Sequence, residues 1–162
     1  MKNITLIFFF IFSILAFSQD PYKEAYDRYS VVKTFEVHLE NAKKFKKLSI
    51  RGTDEMAFLE ILKALSIKPK SSEALSIKGQ LLYLMSRDHY VIFSQLSDAI
   101  SLGSKDGCTY LYRAKSRLNL DEEDRERSTS KICADIIVAK TLGISGCVER
   151  ERELLNWFDR CN

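Results

Sequence analysis

Four cysteines, two histidines, one acidic run and one basic run are the residues of this chain whose types and spacing could carry chemistry. Cys108, Cys133, Cys147 and Cys161 all lie in the second half. No two of them form the close Cys-x-x-Cys pair that zinc sites and thiol–disulfide exchange centres use. An even number of cysteines in an exported chain reads as two structural disulfides, for which three pairings exist. His38 and His89 stand far apart without a second ligand close in sequence, and each reads as a surface or satisfied structural residue. Asp121-Glu122-Glu123-Asp124 lacks the glycine and the spaced ligands of a calcium loop, and reads as solvated loop. There is no glycine-rich phosphate loop, no Gly-x-Ser-x-Gly elbow and no His-Glu-x-x-His. No nucleophile–base pair or metal set can be named, so the expectation is a non-enzyme with no metal and no cofactor.

The basic run is Lys43-Lys44-Phe45-Lys46-Lys47. Glu36 and Glu40 lie within helical reach and compensate part of its charge, so it reads as a solvated helix face around a buried Phe45. A polybasic contact with anionic lipid or glycan is its functional alternative. The whole chain of 162 residues carries a formal charge of +3. That is too little to suggest a nucleic-acid partner.

Lys2, the apolar run Ile4–Leu15 and Ala16-Phe17-Ser18 have the form of a secretory signal peptide over residues 1–18, cut before Gln19. The run is short for a membrane span, and no second one reaches that length. A soluble protein of the periplasm or the extracellular space is expected, with residues 19–162 as a single domain.

The elements that must position these residues are helices. Tyr22–Leu48 carries apolar residues at steps of three and four, with room for a break near Ser30 or Asn41. Gly52 suits a left-handed position, and Thr53 can cap the helix that Lys68-Pro69-Lys70 stops. Ser71 or Ser72 caps the next, whose Gly79 implies close approach by a neighbouring helix. Helices follow over about His89–Leu102, Cys108–Leu120, Lys131–Leu142 and Cys147–Arg160, with Asp121–Ser130 as a longer loop or as helical turns entering the next element. Alternating β-branched runs are absent, so no sheet is expected.

Ala64 and Ala99 are 35 residues apart, and Ala99 and Ala139 are 40 apart. A helix–turn–helix unit of about 34 residues is the tetratricopeptide period. Ala57, Ile61, Ala64 and Pro69 match the small–large–small–Pro pattern of a second helix. Gly79, Ile92, Leu96 and Ala99 continue it in a second unit. Tyr110, Ala114, Ile132, Ile136, Ala139 and Leu142 continue it in a third. On these residues, over roughly Leu39–Asn162, the chain resembles a divergent tetratricopeptide-repeat protein. The stretch Ile132–Gly143 also looks like exported bacterial members of that class. Asn41, Lys78 and Arg113 depart from the pattern.

The resemblance implies an all-α, antiparallel helix-hairpin repeat stack, a tetratricopeptide-like α-solenoid closed by a C-terminal capping helix. Trp157 and Phe158 read as covering the end of the core, with an exposed partner-binding patch as the alternative. It implies Cys133–Cys161 and Cys108–Cys147 as the preferred pairings. It also implies binding of a protein or peptide along the concave face of the first helices, with Lys46, Gln80, Tyr83, Lys115 and Asn119 on that face. A structural or inhibitory protein acting through its disulfide-held cap, or a ligand- or glycan-binding module, is the alternative.

Overall fold

A computed structural model describes residues 34–48, 50, 52–120, 125–144, 147 and 159–161. All fall in the compact unit Thr34–Asn162. The signal segment 1–18 with its cut at Gln19, residues 22–33 of the first expected helix, the acidic run 121–124, and Trp157 and Phe158 of the expected cap lie outside the described residues.

Six helices make up the described residues, without a strand: α1 Phe35–Leu48, α2 Thr53–Ile67, α3 Ser72–Leu84, α4 His89–Ser101, α5 Gly107–Leu118 and α6 Arg125–Leu142. Every helix packs on the next. The odd-numbered helices also touch, α1 on α3 and α3 on α5. This is a stack of antiparallel helix hairpins, α1–α2, α3–α4 and α5–α6.

Local chemistry sets most helix starts. The Thr34 hydroxyl accepts from the Val37 amide. Ser71 accepts from Ala74, Asp88 from Tyr90 and Val91, and Asp106 from Cys108, each satisfying amides that a first turn leaves open. Gly52 is left-handed with φ 88°, as a non-glycine residue would resist. Thr53 does not cap α2. It is the first helical residue, and its hydroxyl donates to the Ile50 carbonyl at 2.6 Å. Asn41 does not break α1 either; it sits inside the helix and donates to Glu60 at 3.2 Å.

Helix α6 starts at Arg125, so helical turns do enter it from the Asp121–Ser130 stretch rather than all of that stretch being loop. The stretch before Lys131 is polar, but arginine and glutamate rank high in helix propensity and no glycine or proline interrupts them.

The core follows the repeat. In α2, Ala57, Ile61 and Ala64 are fully buried; Ile92, Leu96 and Ala99 do the same in α4, and Ile132, Ile136 and Ala139 in α6. The small residues let the paired helix approach, and the large one fills the space between. Close approach is most acute at two glycines. A Cβ on Gly79 would lie 2.4 Å from Leu96 Cδ2. One on Gly107 would lie 2.2 Å from the Gly143 carbonyl oxygen.

Polar links tie two of the hairpins, at positions that depart from the tetratricopeptide pattern. In the first, His38 Nδ1 lies 2.8 Å from Glu60 Oε2, and Asn41 and Lys63 also donate to that carboxylate. Burial pushes the Glu60 carboxyl up, but the His38, Lys63 and Asn41 donors outweigh it and hold its pKa at about 2. In the third hairpin, the Arg113 guanidinium grips Asp135 through both carboxylate oxygens, with Nε to Oδ2 at 2.9 Å.

Two disulfides join Cys108 to Cys147 and Cys133 to Cys161, with Cα atoms 5.7 and 5.1 Å apart. They anchor residues 147 and 161 to α5 and α6. Both bridges fit an oxidising, extracellular-type environment. Among the described residues, no helix is long and apolar enough to cross a membrane.

Candidate functional site

The seam between α3 and α5 is where the expected binding residues come together. Ser76, Gln80 and Tyr83 form one row on α3, at helical steps of four and three. Thr109, Tyr112 and Lys115 form the facing row on α5, at steps of three. Each row shares one helix face because residues three and four apart are neighbours there.

One end of the seam is polar. The Gln80 amide donates to Ser76 Oγ at 2.9 Å and to Asp106 Oδ2 at 2.5 Å. Ser76 and Thr109 are joined hydroxyl to hydroxyl. From α1, the Lys46 ammonium donates to the Gln80 side-chain oxygen. Gln80 was expected on an open groove surface; it is instead fully buried, with its donors and acceptor spent inside the protein. A buried amide is costly unless hydrogen-bonded, and four partners around it meet that demand.

The other end is aromatic. Tyr83 stacks on Tyr112 with ring centroids 4.6 Å apart and planes 17° from parallel. Lys115 Nζ lies 5.5 Å from the Tyr83 ring centre, within cation–π range. His89 also approaches Tyr83, at 6.4 Å between ring centroids and with the planes tilted by 54°. Tyr112 is buried, while Tyr83 and Lys115 are half-buried and reach the surface. Asn119, also expected on this face, is exposed at the C-cap of α5, where its amide donates to the Lys115 carbonyl at 2.9 Å.

Beside the polar end, α1, the start of α3 and the α4–α5 connection enclose an open cleft of about 820 Å³. Lys43, Lys46, Lys47 and Lys105 rim it, and Ser72, Ser76 and Ser104 add hydroxyls. Lys43 bridges Glu40 and Glu73 at 2.9 and 2.8 Å, and those two carboxylates, Glu73 foremost, raise its pKa. The basic run is thus divided by its helix. Lys44 and Lys47 are exposed, Lys43 and Lys46 are half-buried in contacts, and Phe45 packs on the core.

Sequence reasoning named Lys46, Gln80, Tyr83 and Lys115 but missed their partners Ser76, Asp106, Thr109 and Tyr112. The signal was the repeat period. Lys46 and Gln80 are 34 residues apart, and Ser76 and Thr109 are 33 apart. Residues one period apart face each other when hairpins stack in register. Of the two histidines, His38 is a satisfied structural residue. Among the described residues, no group of three or more His, Cys, Asp or Glu side chains could hold a metal ion.

The chain matches no family model, no curated protein and no solved structure.

Proposed function

We propose that this is an exported, non-enzymatic helical-repeat protein of tetratricopeptide type, and that it binds an extended peptide or protein segment across the first helices of its hairpins. The observation that carries the reading is the Tyr83–Tyr112 stack with Lys115 across it, where two adjacent first helices meet. A half-buried tyrosine on a rigid support offers contact area at little entropic cost, and it is a preferred residue at interface hot spots. The neighbouring ammonium favours a segment with carboxylate or amide groups. The periplasm or the extracellular space is the compartment, supported by two disulfides and by the signal-like residues 1–18.

Selection from a displayed random-peptide library tests the reading. Enriched peptides should bind the oxidised protein and lose at least about tenfold in affinity against Y83L/K115Q, which keeps apolar volume at position 83. Peptides that bind both proteins equally would remove this face from consideration.

The disulfide-held C-terminal region is the second reading. Cys147 and Cys161 are each joined to the last hairpin by a disulfide. Retention of all binding by Y83L/K115Q, with loss on reduction of Cys133–Cys161, would favour it.

A further inference from the structure

We infer a second binding site, the lysine-rimmed cleft beside the polar end of the seam, and assign to it an acidic saccharide carrying sulfate or uronate groups. It is separate from the Tyr83–Lys115 face. Its volume of about 820 Å³ is that of a ligand site, since such pockets run roughly 300–1,000 Å³.

The charge of the cleft is directed outward. Four ammonium groups line it against two carboxylates, and both carboxylates are engaged by the protein. Glu73 holds Lys43. Asp106 accepts from the Cys108 amide through one oxygen and from Gln80 and Ser76 through the other. Among the described residues, Lys47 and Lys105 have no carboxylate within ion-pair distance. They come from two different elements of the lining, α1 and the α4–α5 connection. One part of the lining is held in place from within: Ser76 is buried and hydrogen-bonded to Gln80 and Thr109.

The lining chemistry separates ligand classes. Ile77 is the sole apolar side chain facing the cleft apart from lysine stems. A peptide site wants aromatic or aliphatic anchors in desolvated pockets, and these are missing here. The half-buried Ser72 hydroxyl suits a sugar hydroxyl, while Ser76 and Ser104 are engaged within the protein. Lysine is a point charge that pairs with sulfate or uronate without the fork geometry that favours arginine. Short lysine-rich runs such as Lys43–Lys47 are the pattern of heparin-type patches. A concave wall does not match a flat lipid surface.

Titration of the oxidised protein with a heparin octasaccharide at low and physiological salt tests this. Saturable binding is expected, weakened by salt because exposed charges are screened. K47Q/K105Q should lose about tenfold or more, K131Q/K140Q, which removes equal charge from exposed α6, less than about twofold, and Y83L/K115Q should bind as the unaltered protein does. N- and O-desulfated octasaccharide should bind more weakly. Equal loss in both lysine pairs would overturn the proposal in favour of unspecific charge. Tighter binding of an oligoglutamate peptide with the same lysine dependence would overturn it in favour of a peptide. Absence of any saturable binding would end it.

Discussion

Lys46 and Gln80, 34 residues apart, meet across α1 and α3 through a hydrogen bond from the lysine ammonium to the glutamine side-chain oxygen. One repeat period in the sequence has become one contact in space. Gln80 passes the link on to Ser76 and Asp106, so three successive first helices and a connecting loop share one polar network. Gln80→Ala leaves the buried Ser76 hydroxyl short of a donor, while Asp106 is exposed and can turn to water. The expected cost is about 2 kcal/mol, the usual penalty for orphaned buried polar groups. Urea unfolding should show a lower midpoint with an unchanged slope.

Glu60 sets an acid limit on the first hairpin. Its carboxyl titrates at about 2 when folded against an ordinary 4.5, so the folded state holds fewer protons between those values. The stabilisation is fully present above pH 4.5, declines as pH falls towards 2, and is gone below that. Because the Lys63 partner is exposed, we set its size at about 2 kcal/mol rather than the full shift. The stability difference between the unaltered protein and Glu60→Gln should therefore shrink from pH 5 to pH 2, measured by denaturant melts across that range.

Glycines 79 and 107 are both sites of close approach, but their neighbours differ in stiffness. A Cβ at 79 meets the end of the Leu96 side chain, which can rotate. The helix gains about 1 kcal/mol from alanine, and overpacking costs about 1 to 3 kcal/mol, so Gly79→Ala should lose up to about 2 kcal/mol. A Cβ at 107 meets the Gly143 and Ala139 carbonyl oxygens, which are backbone. Gly107→Ala should lose about 3 kcal/mol or more. Thermal melts of the two variants should rank in that order.

The hairpin stack was legible in the sequence because its signal is large and periodic. The triplets Ala57-Ile61-Ala64, Ile92-Leu96-Ala99 and Ile132-Ile136-Ala139 must all be buried for the hairpins to close, and they are. Gly79 announced close approach by its cost in a helix, and Leu96 supplies the reason. The resemblance made Cys133–Cys161 and Cys108–Cys147 the preferred of three pairings, and these are the two pairs found. The polar seam was less legible. Gln80 looks like a surface residue by type, and only the convergence of Ser76, Asp106, Thr109 and Lys46 from other elements makes its burial tolerable. Arg113 looked like a departure from pattern because its partner, Asp135, stands on another helix. The exact start of α6 was left open because a charged stretch carries helix propensity without an apolar stripe.

The two disulfides should contribute separately. The Cys108–Cys147 bridge closes 39 residues and the Cys133–Cys161 bridge 28. Removing either should cost about 3 to 4 kcal/mol through the freedom regained by the unfolded chain. Denaturant melts of C108S/C147S and C133S/C161S would read this. Peptide mapping of the unreduced protein should recover the same two linked pairs.

The most direct measurement is a crosslinking pull-down from the exported fraction of the source cell, with the oxidised protein and its Y83L/K115Q variant run side by side. The proposed binding face predicts a protein captured by the first and depleted at least about tenfold by the second, with both baits melting at the same temperature. Equal capture by the two baits would contradict it, and the Tyr83–Lys115 pair would then be packing between α3 and α5 rather than a surface for a partner.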